Sequence, residues 1–344
     1  MPVLTINNLI NFFRNIFLMS IPNLALAYQV AELKPCLEGS IVRNVQELRG
    51  SWLKFKLQTR QGSKDLIVAP NVLFLTTYSF PARQTTSGYG ALLRKHLRNK
   101  RIASLGQHGL DRIVVMGFAG YKLVLELFAK GNLLLLDGKG SIIAAYRRES
   151  WRDRQLCKGA TYKFPSFKGT SPLAVLPSEL KEAFSRSETD AARALISALN
   201  IAPVLAEAAL AKAGVERRRK ASELKTDEVE SLCRAVKEIY SVDLSRAQPV
   251  LVEKNNERIL LPFSLSMPSA RVLQHFDSMN AAIDSVYSEQ FAAVKCAPVH
   301  EAIEKKRAEL ARSLGRQRKA VLELQRAIES NRAKAEAIYA NYPS

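Results

Sequence analysis

Arg94, Lys95, Arg98, Lys100 and Arg101 fall within eight positions, with His96 among them and no acid to offset them. Cations at that density suit a phosphate backbone far better than a metabolite. A solvated charged face is the ordinary alternative for such a run. Asp111 and Arg112 follow as an adjacent pair. An arginine so placed holds a phosphate or stacks on a base while the aspartate fixes its guanidinium. A salt bridge capping a strand is the plainer reading, and spacing alone favours it. Lys130 and Asn132 flank Gly131, which is also a standard turn pair. Arg147, Arg148, Arg152 and Arg154 form a second basic group, in which ion pairs with Glu149 and Asp153 account for part of the charge. Arg217, Arg218, Arg219 and Lys220 form a third.

The whole chain agrees with that local chemistry. Its 344 residues hold 51 Lys and Arg against 32 Asp and Glu, a formal charge of +19, which points to nucleic acid or an anionic surface. A hydrophobic fraction of 47% and an aromatic fraction of 8% describe a globular protein. The length suits roughly two or three domains. Cys36, Cys157, Cys233 and Cys296 are far apart and form no Cys-x-x-Cys pair. His96, His108, His275 and His300 are equally scattered, so a reducing cytosol is expected, with no metal site and no cofactor. The apolar segment up to Ala27 is interrupted by Asn7, Asn8, Asn11, Asn15, Pro22 and Asn23. It makes neither a good secretory signal nor a membrane span, and Met19 is a natural start behind an extension over 1–18.

The elements that must position these residues are mostly strands. Val30, Leu33 and Leu37 predict a short helix over Tyr28 to Leu37, stopped at Gly39. Strands over Ile41 to Leu48, Trp52 to Gln58, Leu66 to Ala69 and Val72 to Thr77 form an antiparallel meander, with turns at Gly50, Gly62 and Pro70. A helix over Gly90 to Asn99 carries the basic cluster. Five further strands alternate with glycine turns between Ile102 and Tyr146, the texture of a sandwich or partly closed barrel. No phosphate-cradling or dinucleotide glycine fingerprint is present.

Past Pro165 an alanine-rich helical region runs from about Leu180 to Tyr240. The turn Leu199 to Pro203 suggests a helix-hairpin-helix, in which helix amides hold a backbone phosphate. Asn200 and Ala202 stand where its glycines usually do, and an ordinary helix pair fits equally. Residues Pro249 to Phe263 return to strand character and are expected to rejoin the first sheet. The tail carries a heptad seam of Ile303, Leu310, Leu324 and Ile338 on one position and Leu314, Val321, Ile328 and Ala335 on the other, interrupted at Gln317 and Asn331. That is half a coiled coil, and either its partner helix comes from elsewhere or the arm is frayed.

Leu92 to Leu97, Asp111 to Val114, Glu126 to Asn132, Trp151 to Arg154, Gly159 to Pro165 and Ile338 to Pro343 together resemble motifs of the NFACT family of ribosome-associated quality control, archaeal type. The resemblance covers nearly all of the chain after Met19. It implies an α+β fold: an antiparallel β-rich N-terminal domain like that of formamidopyrimidine-DNA glycosylases over 19–175, a helix-hairpin-helix domain over 176–246, a return to the first domain over 247–285, and the first helix of a coiled-coil arm over 286–344. It implies binding to a large ribosomal subunit carrying stalled peptidyl-tRNA, and recruitment of tRNA for an untemplated C-terminal tail, with the ribosome itself making the peptide bonds. The expected RNA contacts are Arg94, Lys95, His96, Arg98, Lys100, Arg101, Asp111, Arg112, Lys130, Asn132, Arg152 and Arg154. Arg217, Arg218, Arg219 and Lys220 are secondary. Where the family pattern has Asp-x-Arg near the first helix, this chain has Ala25-Leu26-Ala27, a departure that bears against tailing. Full-length members continue into a second helix and a C-terminal RNA-binding domain, so a separate C-terminal polypeptide or coiled-coil partner is expected.

Two other classes compete with a cytoplasmic RNA-binding protein that is not an enzyme. A DNA-repair protein of glycosylase-like fold needs an N-terminal proline amine beside a catalytic acid; Pro2 is followed by Val3. A fibronectin-binding-like adhesin, suggested by names given to some bacterial relatives, needs an export signal.

Overall fold

The computed structural model describes residues 19–48, 52–69, 71–83, 87–151, 154–165, 169–267 and 270–340. The N-terminal extension, with Pro2 and Val3, and Arg152 and Asp153 lie outside the described residues. The chain divides into a unit ending at Val286 and a second over Tyr287–Ser344.

Alternating apolar residues build the first sheet. Strands β2 (Ile41–Glu47), β3 (Leu53–Thr59), β4 (Gly62–Ala69) and β5 (Val72–Thr76) pair in sequence order, all antiparallel. In β3, Phe55 and Leu57 are buried while Lys56 and Gln58 are exposed, the period-two pattern of a half-buried strand. Helix α1 (Asn23–Leu37) begins five residues before the sequence expectation. Leu24, Ala25, Leu26, Tyr28, Gln29 and Val30 are all buried. A helix covered on nearly every side shows no amphipathic stripe at its start, so periodicity could not place that end.

A second sheet holds β6 (Ile102–Gln107), β7 (Ile113–Phe118), β8 (Tyr121–Glu126), β9 (Asn132–Asp137) and β10 (Ile142–Ala145), antiparallel and in sequence order. Leu53 and Val68 of the first sheet and Leu125 and Leu133 of the second line one internal cavity of about 20 Å³, too small to loosen the packing. The outer side of the second sheet carries Ile113, Val124, Leu134, Leu136 and Ile142, covered by Leu156 and Tyr162. A short hairpin of β11 (Glu149–Ser150) and β12 (Gln155–Leu156) leads into that cover.

The strands after Pro249 do not rejoin the meander. A hairpin of β13 (Val250–Lys254) and β14 (Glu257–Leu261) turns on Asn255 and Asn256, at φ 51° and 63°, a left-handed conformation asparagine tolerates. It forms its own sheet, in which β1 (Met19–Ser20) pairs parallel with β14 and β15 (Arg271–His275) pairs with β13. Both outer edges of the meander are already occupied. Residues 99–101 bond along β2, Val42 N–H donating to the Lys100 carbonyl at 2.9 Å and Asn99 N–H to the Val42 carbonyl at 2.7 Å. The Asn280 amide pairs with both the N–H and the C=O of Leu75 in β5, at 2.7 and 2.8 Å. An occupied edge cannot accept another strand.

Helix α2 (Gly88–Leu97) carries the basic cluster, and a buried acid sets its start. Glu47 accepts from Ser87 N–H at 2.8 Å, from Gly90 N–H at 3.2 Å and from the Ser87 hydroxyl. The carboxylate satisfies amides that the helix itself leaves open, at the end where its dipole is positive. Arg94, Lys95 and His96 occupy the opposite, favourable end. Glycine is required at position 90, because a Cβ there would lie 2.7 Å from Glu47 Oε1. Replacing Glu47 by Ala is expected to cost about 1–3 kcal/mol in urea unfolding, a cap plus a buried donor left open. Full stability in the variant would remove Glu47 from this role.

The helical region comprises α3 (Pro177–Ser185), α4 (Ala191–Leu199), α5 (Pro203–Ala213) and α6 (Thr226–Tyr240). Between α4 and α5, Asn200 adopts φ 49°, supplying the left-handed residue a glycine would otherwise provide. Helix α7 (Met279–Ala340) starts on Glu32, whose carboxylate accepts from Met279 and Asn280 N–H at 2.8 and 3.2 Å. In the second unit Leu310, Leu314, Val321, Leu324 and Ile328 are each half exposed or more. No helix among the described residues is long and apolar enough to cross a membrane.

Candidate nucleic-acid interface

Asp111 and Arg112 sit in the loop from β6 to β7, closed by His108 N–H to the Ile113 carbonyl at 2.9 Å and Asp111 N–H to the His108 carbonyl at 3.0 Å. The loop forms one wall of an open cleft of about 680 Å³. The start of α1 at Pro22 and Asn23 forms another wall, and the turn of Asn200 to Pro203 at the start of α5 a third. Two helix N-termini therefore meet an arginine in one concavity, a combination favourable to anions.

Within the cleft the expected Asp–Arg bond is not made. Asp111 Oδ1 instead accepts from the Asn200 amide at 3.2 Å. Gln107 bridges the cleft wall, donating to the Asp111 carbonyl at 2.8 Å and the Asn23 carbonyl at 3.1 Å. Burial pushes the Asp111 carboxyl above its ordinary value, and His108 pulls the other way. Arg112 is exposed and has no side-chain partner among the described residues. Its guanidinium is available to a ligand rather than spent on the fold. Asn23, which sequence reasoning passed over, is buried at this cleft. Its Oδ1 accepts from the Tyr240 hydroxyl at 3.1 Å and from Leu24 N–H at 3.0 Å. Ala25, read as the site of a lost acid, is fully buried and does not line the cleft.

The basic cluster is not beside this cleft. It lies at the far end of the second sheet. Strand β6 begins at Ile102, directly after Arg101, and ends at Gln107 beside the Asp111 loop. Six residues of strand separate the two by about 20 Å. The cluster's neighbours come from strand register: Ile102 pairs with Phe118, and Phe118 with Tyr121, which brings Lys122 to the same end. His96 meets the Tyr121 ring edge-on at 5.1 Å, and the Lys100 ammonium lies 5.9 Å from its centroid. Lys95, Arg98 and Lys122 are exposed, and no ion pair among the described residues holds them. Arg94 and Arg101 are partly committed, donating to the Val45 carbonyl at 3.1 Å and the Gly39 carbonyl at 2.5 Å.

Several other expected contacts are engaged within the fold. Arg154 pairs with Glu126 at 2.5 Å, side chains 7% and 2% exposed, and lies 4.5 Å from the Trp151 ring. Tyr162 donates to the same carboxylate at 2.9 Å; burial, then Glu126, raises its phenol pKa. Glu126, at the end of β8, is therefore the acid that holds Arg154. Asn132 is buried, its amide bonded to the Arg147 carbonyl and accepting from Arg147 N–H, both at 3.0 Å. Lys130 is exposed on the turn before β9. In the helical region Arg217 pairs with Glu207 at 2.8 Å and Arg219 with Glu228 at 2.6 Å, leaving Arg218 and Lys220 exposed without an ion pair among the described residues.

A family model describing the NFACT N-terminal and middle domains matches residues 23–342. Over 294 residues the chain is 26% identical to the archaeal Rqc2 homolog aRqcH of Methanocaldococcus jannaschii, covering 82% of this chain and 44% of that protein. It is 27% identical over 290 residues to the human ribosome quality control complex subunit NEMF, covering 76% of this chain and 27% of that protein. The chain thus spans less than half the length of these curated relatives. Among solved structures it resembles the fibrinogen-binding protein of Staphylococcus aureus, with a TM-score of 0.63 at 18% identity over 77% of this chain and 98% of that one. The N-terminal part of the fibronectin/fibrinogen-binding protein of Streptococcus suis gives 0.59 at 20%, over 78% and 100%. At that identity the likeness establishes a shared fold and nothing about ligands.

Proposed function

Because the chain belongs to the NFACT family and spans its N-terminal and middle domains, we propose that it is a cytoplasmic RNA-binding component of ribosome-associated quality control. It binds the large ribosomal subunit carrying stalled peptidyl-tRNA and recruits tRNA for untemplated C-terminal tailing. The chemistry of peptide-bond formation stays with the ribosome; this chain positions RNA. Residues 19–175 and 247–285 act as one module and 176–246 as a helix-hairpin-helix, while the exposed seam beyond residue 286 pairs with a helix of a separate polypeptide or a second coiled-coil strand.

The observation that carries this reading, beside the family itself, is the cleft of Asp111 and Arg112. An unpaired guanidinium faces a concavity flanked by two helix N-termini in a chain of charge +19. Such a site holds a phosphate or the edge of a base without covalent chemistry. The test is co-sedimentation of the full chain with large subunits at moderate salt, followed by crosslinking and sequencing of bound RNA. Large-subunit rRNA and tRNA are expected, and failure to sediment sinks the proposal. Arg112→Ala should weaken tRNA binding more than binding to bulk rRNA, and equal losses would withdraw the special role of the cleft.

A further inference from the structure

The cleft end and the basic end of the second sheet differ in one respect that charge does not capture. At the cleft end, aromatic surface is exposed. Phe164 is 39% exposed and stacks face to face on His108, ring centroids 3.6 Å apart and 6° from parallel. Tyr162 braces Phe164 in a T-shaped contact at 5.1 Å. Trp151, 44% exposed, lies over the Arg154 guanidinium, whose partner Glu126 closes β8 at the same end. His108 is itself exposed and belongs to the hydrogen-bonded loop that carries Asp111 and Arg112. The imidazole is therefore held in a fixed plane, next to a carboxylate acceptor and an unpaired guanidinium.

At the basic end the rings are spent on each other. Tyr121 and His96 are half-buried in mutual contact, with Lys100 beside them. What projects there is cation without platform: Lys95, Arg98 and Lys122, with Arg43 on the neighbouring strand bonded to residues 99 and 100 through Val42. Paired RNA hides its bases and presents phosphates, whereas unpaired nucleotides offer bases that stack on aromatic planes.

We propose that the two ends of this sheet read two forms of RNA at once, the cleft end an unpaired base stacked on His108 and the basic end the phosphate backbone of a duplex. The inference rests on the RNA-binding function proposed above and adds what each surface recognises. About 20 Å of strand separates the ends. The screening length at physiological salt is about 8 Å. RNA at one end is therefore poorly sensed, electrostatically, at the other.

The experiment uses the full chain with two probes: an unstructured RNA oligonucleotide carrying 2-aminopurine, and a fluorescein-labelled blunt RNA duplex. The expected result is quenching of 2-aminopurine on binding, with less than about a twofold change in single-strand affinity when duplex is saturating. His108→Ala and Phe164→Ala should each weaken the single strand about tenfold, within the range for stacking one base on a ring. His108→Phe should restore it, and duplex affinity should hold in all three. Mutual displacement of the probes, equal loss of both in His108→Ala, or failure of His108→Phe to restore binding would each overturn the division. Binding of neither probe would bring down the RNA-binding function as well, a result distinct from the other three.

Discussion

Arg154→Met is expected to lower stability by about 3–5 kcal/mol, while the folded variant keeps its RNA affinity. The size follows from what the substitution leaves behind. Glu126 is 2% exposed, and its remaining side-chain partner among the described residues is the Tyr162 hydroxyl. Removing one member of a buried pair strands the other as an uncompensated charge, at a cost far above the net worth of the pair. Urea unfolding measures this, and the double change Glu126→Gln with Arg154→Met should recover part of the deficit. A stability loss under about 1 kcal/mol, together with a tenfold fall in RNA affinity, would return Arg154 to the surface role its sequence context suggests.

The triple variant Lys95→Ala, Arg98→Ala, Lys122→Ala is expected to lose about a hundredfold in RNA affinity at 0.15 M salt without loss of fold. Each neutralised phosphate contributes a slope of about −0.7 to −0.9 in log affinity against log salt. Three contacts therefore carry about two decades at that salt. Because all three side chains are exposed and unpaired, removing them should change stability by less than about 0.5 kcal/mol. The decisive reading is the salt titration, in which the variant's slope should be shallower by about two to three. An unchanged slope would mean that these cations only colour the field of the protein and touch no phosphate. Lys122 is the informative member, since register rather than sequence proximity brings it to the cluster.

Much of the local structure was legible in the residues. The apolar run of β5, the turn at Gly62 and the glycine at the end of α5 each state a preference that the chain meets. The motifs around Asp111 and Glu126 identified the family. A residue's own type and spacing report which face of its element is apolar and where the backbone must turn. Those are local properties, and they survive folding.

What tertiary structure alone decided is which charges remain for a ligand. Arg98 and Arg154 look alike in the sequence, yet one projects into solvent and the other is locked to an acid 28 positions away. The basic helix and the Asp111 loop are near in sequence and were read as one site; strand β6 holds them apart at opposite ends of a sheet. Asn200 meets both Asn23 and Asp111 only because α1 and the α4–α5 turn converge on one cleft. The hairpin after Pro249 forms its own sheet with β1 and β15 instead of extending the meander. In each case the outcome depends on pairing between distant segments, and a burial pattern within one segment does not encode its partner.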